Sequence, residues 1–188
     1  MQTVETMEQK AFQDFYADEL SHCYGCGRLN KHGLQIKSYW DGDQAVAIFQ
    51  PKAYHTGIPG YVYGGLIASI IDCHCIGTAS AAAHKESRGR PALDSRARCP
   101  RHDRNMNTGP SLRFVTASLH VDYLRPTPLG PPLEVRARVR EIKGRKVVVA
   151  ATLLAAGQVC AQGEVVAVQM PEHMMPAART AQPDDNQT

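Results

Sequence analysis

The stretch YHTGIPGYVYGGLIASIIDCHCIGTASAAAH, from Tyr54 to His84, decides the fold of this 188-residue chain. It opens as a loop rich in glycine and proline, and the pair Gly64-Gly65 ends that loop. The following residues are apolar or small on all sides, as in a helix at the centre of a domain or across a membrane. Because a charge in mid-membrane is costly, the carboxylate of Asp72 favours a buried central helix.

The charge of Asp72 requires an explanation, since an ionised carboxylate in an apolar element is unfavourable unless it is paired, hydrogen-bonded or at a cleft. Gly65 lies two helical turns before it, on nearly the same face. That face combines free N–H groups at a helix N-terminus with a carboxylate. Such a combination can polarise a carbonyl and attack it or activate a water. The alternative is structural: local N–H groups hold Asp72, and the glycines only permit close packing.

Length and composition limit the possibilities. A chain of 188 residues forms one domain with a sizeable core and is short for two. We expect a helical extension over residues 1–20, a domain over 21–171 and a disordered tail over 172–188. The net charge of +3 does not argue for a nucleic-acid partner. The polar, acidic N-terminal segment does not resemble a signal peptide, so we expect a cytoplasmic protein without a membrane partner.

Six cysteines accompany this pattern: Cys23, Cys26, Cys73, Cys75, Cys99 and Cys160. We expect free thiols, because no export signal is recognisable. The pair Cys23-x-x-Cys26 is compatible with zinc, but a structural site usually needs a second pair of ligands. Asp72 to Cys75 does not provide that pair, since adjacent helical residues point in different directions. The sequence therefore favours a protein without a metal.

The remaining segments predict one N-terminal amphipathic helix, over residues 4–20, and a set of antiparallel strands. The strand segments are 34–40, 44–50, 112–124, 133–140, 147–154 and 159–170. A curved antiparallel sheet wrapped around one long central helix, an α+β architecture, accommodates both patterns. The arginine-rich insertion over residues 84–111 is either a solvated connector or a basic lid that attracts an anionic ligand.

Four motifs, taken in order, resemble one family. They are Cys23-Tyr-Gly-Cys-Gly27 with Asn30-Lys-His-Gly-Leu34, Gly60-Tyr-Val-Tyr-Gly-Gly65 with Asp72, Thr116-Ala-Ser-Leu-His-Val-Asp-Tyr-Leu-Arg-Pro126, and Lys143-Gly-Arg-Lys146. Together they resemble the thioesterase superfamily of the hotdog fold, and within it the PaaI-like acyl-CoA thioesterases. The resemblance covers roughly residues 20–170.

The resemblance implies an enzyme that hydrolyses acyl-CoA without a metal or prosthetic group. The N–H of Gly65 would bind the thioester carbonyl, and Asp72 would be the nucleophile or the general base. Thr116 would help to hold the catalytic water. Further residues would contact the substrate: His55, Tyr63, Gly64, Ala117, Ser118, Lys143, Gly144, Arg145 and Lys146.

The same resemblance implies a homodimer or a dimer of dimers, with Asp72 acting beside residues 116–118 of the partner subunit. One departure concerns Tyr63, which stands where the family usually has a histidine, and tyrosine cannot change charge near neutral pH as histidine does. This departure keeps open a non-catalytic acyl-CoA sensor. A third alternative is an acyl-thioester hydratase or dehydratase, in which His55 or His74 would pair with Asp72.

Overall fold

The computed structural model describes residues 10–89 and 113–174, in which one long helix packs against a curved six-stranded antiparallel sheet. The elements are β1 (Ser38–Asp41), β2 (Gln44–Phe49), α1 (Gly64–Gly89), β3 (Phe114–Tyr123), β4 (Leu133–Lys143), β5 (Lys146–Ala155) and β6 (Gln158–Gln169). Short 3-10 turns cover Phe12–Phe15, Asp18–Leu20, Ala53–His55 and Glu172–Met174. The strand order is β1-β2-β4-β5-β6-β3, so β1 and β3 are the edges. This architecture confirms the predicted hotdog fold.

The core lies between α1 and the middle of the sheet. Ile70 and Ile71 of the helix are fully buried, as are inward-facing residues of the central strands such as Val135, Leu153 and Val165. Alternate residues of a strand point to opposite faces, so the alternation along β4 to β6 gives this sheet one buried face. By length and composition α1 is also apolar enough to cross a membrane, but over half of its apolar stretch is buried inside the domain. The expected central helix is thus confirmed.

The N-terminal segment differs from the predicted amphipathic helix. Within residues 10–20 the chain forms two short 3-10 turns, separated by Tyr16 in an extended conformation. The Asp14 carboxylate accepts the N–H of Ala11 at 3.0 Å, and the Phe12 ring lies 5.1 Å from that of Trp40. Phe12 is buried in the first turn, whereas Phe15 of the same turn is exposed and the second turn buries no residue, so the spacing does not mark one helical face. Residues 4–9 of the prediction lie outside the described residues.

The first predicted strand is also shorter than expected. Residues 34–37 do not belong to β1, because Gln35 has a φ of 51° and interrupts the extended chain. Leu34 and Ile36 instead donate their N–H groups to the carbonyls of Tyr24 and Gly25, at 2.7 and 2.9 Å. This segment consequently braces the cysteine-containing loop.

The basic insertion begins later than His84, because α1 continues to Gly89. Lys85 in this last part of the helix places its Nζ 5.6 Å from the centre of the Trp40 ring. The rest of the insertion, residues 90–111, lies outside the described residues, as does the tail from residue 175. Their predicted roles stay predictions.

Candidate active site

The start of α1 is fixed from two sides. The carbonyl of Tyr63 accepts the N–H groups of Leu66 and Ile67, at 3.1 and 3.3 Å. The hydroxyl of Tyr123 donates to the carbonyl of Gly64 at 2.8 Å, which ties the helix start to the end of β3. The N–H groups of Gly64 and Gly65 lie in the first turn, where a helix offers no acceptor of its own. They are therefore suited to bind the oxygen of a ligand carbonyl.

Tyr63 packs its ring directly over Gly65. A Cβ on Gly65 would lie 2.4 Å from Cε1 of Tyr63, so only glycine permits this approach. The Tyr63 side chain is still 59% exposed, which leaves its hydroxyl accessible. A phenol that can donate a hydrogen bond thus stands beside the free N–H groups of the helix.

A cavity of about 730 Å³ opens beside this helix start. Its volume falls within the range of roughly 300–1,000 Å³ that is common for small-molecule sites. The lining includes Tyr24, His32, His55, Tyr63, Gly65 and Ser69. Three of the predicted site residues, at positions 55, 63 and 65, therefore share one cavity.

His55 is held in one orientation within this lining. Its Nδ1 accepts the N–H of Lys52 at 3.1 Å, and its ring lies 5.5 Å from that of Phe49. Burial, together with the nearby charge of Lys52, lowers the pKa of His55. The neutral ring carries its proton on Nε2, which leaves one donor for a ligand.

Asp72 lies halfway along α1 and forms a hydrogen bond with β3. The hydroxyl of Thr116 donates to Oδ1 of Asp72 at 2.6 Å. Burial raises the pKa of Asp72, the bond from Thr116 opposes this shift, and a charge on Cys23 adds to it. A carboxylate with one oriented hydroxyl partner and a raised pKa is suited to accept a proton from water.

The contact between Asp72 and Thr116 forms within one chain. The expectation that residues 116–118 of a partner subunit lie beside Asp72 stays a prediction. A β-bulge in β3 accompanies the contact: Thr116 pairs with Ala167 and Ser118 with Val166, so Ala117 has no partner across the ladder. Bulges redirect side chains and are frequent next to sites.

The cavity and the carboxylate are separate within one chain. Asp72 is not among the lining residues of the cavity, as far as the described part of the chain extends. Two helical turns separate it from Gly65, which is about 10 Å along the axis. A single thioester carbon bound at Gly65 would not reach Asp72 of the same helix.

The turn from Lys143 to Lys146 is remote from the cavity. Its strand β4 begins at Leu133, which pairs with the cavity residue Phe49. The eleven residues of β4, ten steps from Leu133 to Lys143, span about 33 Å of extended chain. Gly144 turns the hairpin with a φ of 57°, and Lys146 forms an ion pair with Glu141 at 3.2 Å. Within one chain this turn is not brought together with the helix start.

His74 points away from Asp72 into the core. Its ring is fully buried, with Nδ1 2.9 Å from Oγ of Ser38 and Nε2 3.3 Å from the carbonyl of Ala45. Burial lowers the pKa of His74 to about 4. These contacts make it a satisfied core histidine, so it does not form an acid–base pair with Asp72.

Two features of the structure are not predicted from the sequence: the role of Tyr123 and a cluster of three thiols. Tyr123 lies inside a quoted motif, but nothing local in the sequence indicates its bond to Gly64. Sγ atoms of Cys23, Cys26 and Cys73 lie within 4.8 Å of one another. The segment 72–75 indeed supplies no second ligand pair, but it supplies a third thiol. Hydrogen bonds from Cys26 and Cys73 lower the pKa of Cys23.

An apolar helix against an antiparallel sheet, with free N–H groups and a carboxylate on the helix, is the arrangement of a hotdog-fold thioesterase. The family model described as the thioesterase superfamily matches residues 59–162, more than half of the chain. The chain belongs to this superfamily. This result confirms the resemblance noted in the sequence.

Individual relatives agree with this assignment. A thioesterase superfamily protein from Shewanella loihica PV-4 is 44% identical, with a TM-score of 0.58 over 83% of this chain and all of that chain. The rat acyl-coenzyme A thioesterase THEM4 is 31% identical over 57% of this chain and 34% of its own length. The chain thus spans about a third of the length of this curated relative. The Escherichia coli PaaI protein, with 18% identity over 73% of this chain and 81% of its own, has a TM-score of 0.53 and shows the fold.

Proposed function

We propose that this chain hydrolyses an acyl-CoA thioester to a free acid and coenzyme A. The observation that carries the proposal is the carboxylate of Asp72, bonded to Thr116, on the helix whose first N–H groups border the cavity. The similarity to a protein named an acyl-coenzyme A thioesterase supports the same chemistry. Water is the only co-reactant, and no metal or prosthetic group takes part.

In the proposed reaction the N–H of Gly65, with Gly64 beside it, binds the thioester oxygen as negative charge develops there. Asp72 either takes a proton from water, whose hydroxide adds to the carbonyl carbon, or attacks that carbon itself. The C–S bond then breaks, and the coenzyme A thiolate leaves and is protonated. In the second route water hydrolyses the mixed anhydride. Thr116 orients the carboxylate in both.

The separation within one chain supports a site built from two subunits. Because Gly65 and Asp72 of one helix are about 10 Å apart, the helix start of one subunit needs a carboxylate from the other. We therefore propose a homodimer, or a dimer of dimers, in the cytoplasm. In such an assembly the substrate is held at the helix start of one subunit. The cationic turn from Lys143 to Lys146 of the other subunit would bind its coenzyme A phosphates.

The test is the substitution Asp72→Asn. We expect kcat to fall by about 10²–10⁴-fold, because the amide can neither accept a proton nor attack. Loss of thioester absorbance, or chromatography of free coenzyme A, is the measurement, since the protein's own thiols interfere with thiol reagents. A panel of short, long and aromatic acyl-CoA substrates also identifies the acyl group.

Asp43→Asn is the matched control, since Asp43 is an exposed carboxylate in the turn between β1 and β2 that pairs with Arg138. Unchanged turnover by Asp72→Asn would refute the mechanism. Binding of coenzyme A without turnover of any substrate would favour the sensor. Conversion of an enoyl substrate without release of coenzyme A would favour the hydratase.

A further inference from the structure

Three thiols from distant parts of the chain meet beside Asp72. Cys23 and Cys26 lie in the loop before β1, and Cys73 lies on α1. The sulfur atoms of Cys23 and Cys73 are 3.8 Å apart, and all three lie within 4.8 Å of one another. Cys26 is buried, Cys73 is half-buried and Cys23 is exposed, so the cluster has one side open to solvent.

The loop is shaped around these sulfur atoms. A Cβ on Gly25 would lie 2.1 Å from Sγ of Cys73, so glycine is required for the helix thiol to reach the loop. The N–H of Gly27 closes the turn on the carbonyl of Cys23 at 2.9 Å. The turn therefore holds both loop thiols close to the helix thiol.

The charge around the cluster is suited to an anionic site. Arg113 lies beside the start of this loop: its guanidinium stacks on the Tyr16 ring, 3.5 Å from the ring centre, and donates to the carbonyl of Leu20 at 3.3 Å. Its Nε is buried without a hydrogen-bond partner among the described residues. Three thiolates with one divalent cation carry a net charge of −1. The Arg113 cation would balance that charge.

We propose that Cys23, Cys26 and Cys73 form a site for a thiophilic divalent cation, of which Zn²⁺ is the natural example. In a tetrahedral site with Zn–S bonds of about 2.3 Å, the sulfur atoms are about 3.8 Å apart. The separation of Cys23 and Cys73 matches this edge. Each thiol that still carries a proton releases it to solvent on binding, and solvent takes the fourth position on the open side.

The bound ion would connect the loop to α1 at the residue that follows Asp72. None of the three cysteines is a reacting group in the proposed hydrolysis, and none is among the described residues that line the cavity at the helix start. Because Cys73 directly follows Asp72, the site is tested by metal binding itself and not by activity.

The experiment titrates Co²⁺ into the full-length protein, kept reduced with a phosphine and freed of metal with a chelator. We expect one equivalent per chain, with the ultraviolet charge-transfer band of cobalt–thiolate bonds and visible bands of tetrahedral cobalt. Zn²⁺ should displace the cobalt and raise the melting temperature, since a ligand that binds only the folded state stabilises it.

Cys23→Ser is the decisive variant, because Cys23 is the exposed member and its replacement disturbs packing least. It should weaken Co²⁺ binding by about 100-fold or more and abolish the Zn²⁺-dependent rise in melting temperature. Cys160→Ser is the matched control: Cys160 is buried outside the cluster, bonded to the carbonyl of Gln158. Circular dichroism confirms that each variant is folded.

Two results would overturn the proposal. One is the absence of the cobalt–thiolate band in the reduced wild-type protein, which would leave three hydrogen-bonded thiols. The other is undiminished Co²⁺ affinity in folded Cys23→Ser. Loss of hydrolysis in Asp72→Asn with normal Co²⁺ binding would support the metal site and separate it from the proposed function.

Discussion

Asp72 and Gly65 are placed by contacts that reach them from other elements. Thr116 on β3 orients the carboxylate of Asp72, and Tyr123 on the same strand holds the carbonyl of Gly64. One edge strand thereby positions both parts of the proposed site. The polar groups that α1 carries are oriented by a rigid neighbour, which is what catalysis by preorganised groups requires.

Gly65→Ala tests the contact at the helix start. The new Cβ would collide with the Tyr63 ring at 2.4 Å, and because that ring is exposed it would swing away. We expect the free energy of unfolding to change by less than about 1 kcal/mol, since alanine favours the helix. In contrast, kcat/KM for acyl-CoA should fall by about 10-fold or more, because the methyl group and the displaced phenol disturb the carbonyl site.

Gly64→Ala is the comparison, because a Cβ there meets the Tyr123 ring at an ordinary 3.5 Å. It should lose less activity than Gly65→Ala. The double variant Tyr63→Ala/Gly65→Ala distinguishes the causes: if the ring matters, the two single losses do not add. Equal and small losses in both glycine variants would contradict the importance of this contact.

At the scale of elements, α1 is held to the N-terminal segment by a buried network of hydrogen-bonded polar side chains. The Gln13 amide donates to the hydroxyl of Ser38 at 3.2 Å, and that hydroxyl lies 2.9 Å from Nδ1 of His74. Nε2 of His74 donates to the carbonyl of Ala45. Each polar group in this network has a hydrogen-bond partner, so burying these groups costs little free energy. The network therefore fixes the orientation of α1 against β1 and β2.

Gln13→Ala tests how much this network of hydrogen bonds contributes to stability. The substitution leaves the buried N–H of Ser38 without its acceptor, the Gln13 amide oxygen at 2.9 Å. We expect a loss of about 1–3 kcal/mol in the free energy of unfolding, measured by urea denaturation. Gln50→Ala is the control, because it removes an exposed amide that donates to the carbonyl of Gly130, and should cost under about 0.5 kcal/mol. Similar losses in the free energy of unfolding for both variants would show that the buried network adds no more stability than an exposed hydrogen bond.

These elements also show what the sequence could predict. The strands β4 to β6 and the core helix were predictable, because alternation and an all-apolar segment are local signals of burial. The two 3-10 turns within residues 10–20 were not, since the spacing of Phe12, Phe15 and Tyr16 imitates a helical stripe although the chain is extended at Tyr16. The bond from Thr116 to Asp72 within the chain was not predicted, and the thiol cluster was missed, because contacts across some 50 residues depend on how the helix sits on the sheet.

At the scale of the whole molecule, β3 is an exposed edge strand of the sheet. It is ten residues long, lies at the edge and is mostly exposed along its length, including Leu119. A long edge strand with free backbone groups readily pairs with another chain unless it is covered. Because the same strand carries Thr116, pairing along it would place a second subunit next to Asp72, as the proposed two-subunit site requires.

Leu119→Arg should therefore shift the protein from dimer to monomer, with the mass measured by analytical ultracentrifugation. The substitution would add a cation from each subunit to the proposed interface, and like charges at an interface cost several kcal/mol. Ile142→Arg on β4 is the matched control, since Ile142 is 37% exposed and Leu119 is 39% exposed. The control should keep the wild-type mass. If Leu119→Arg also keeps it, β3 is not the interface; if it becomes a folded monomer that retains full kcat, the site is complete within one chain.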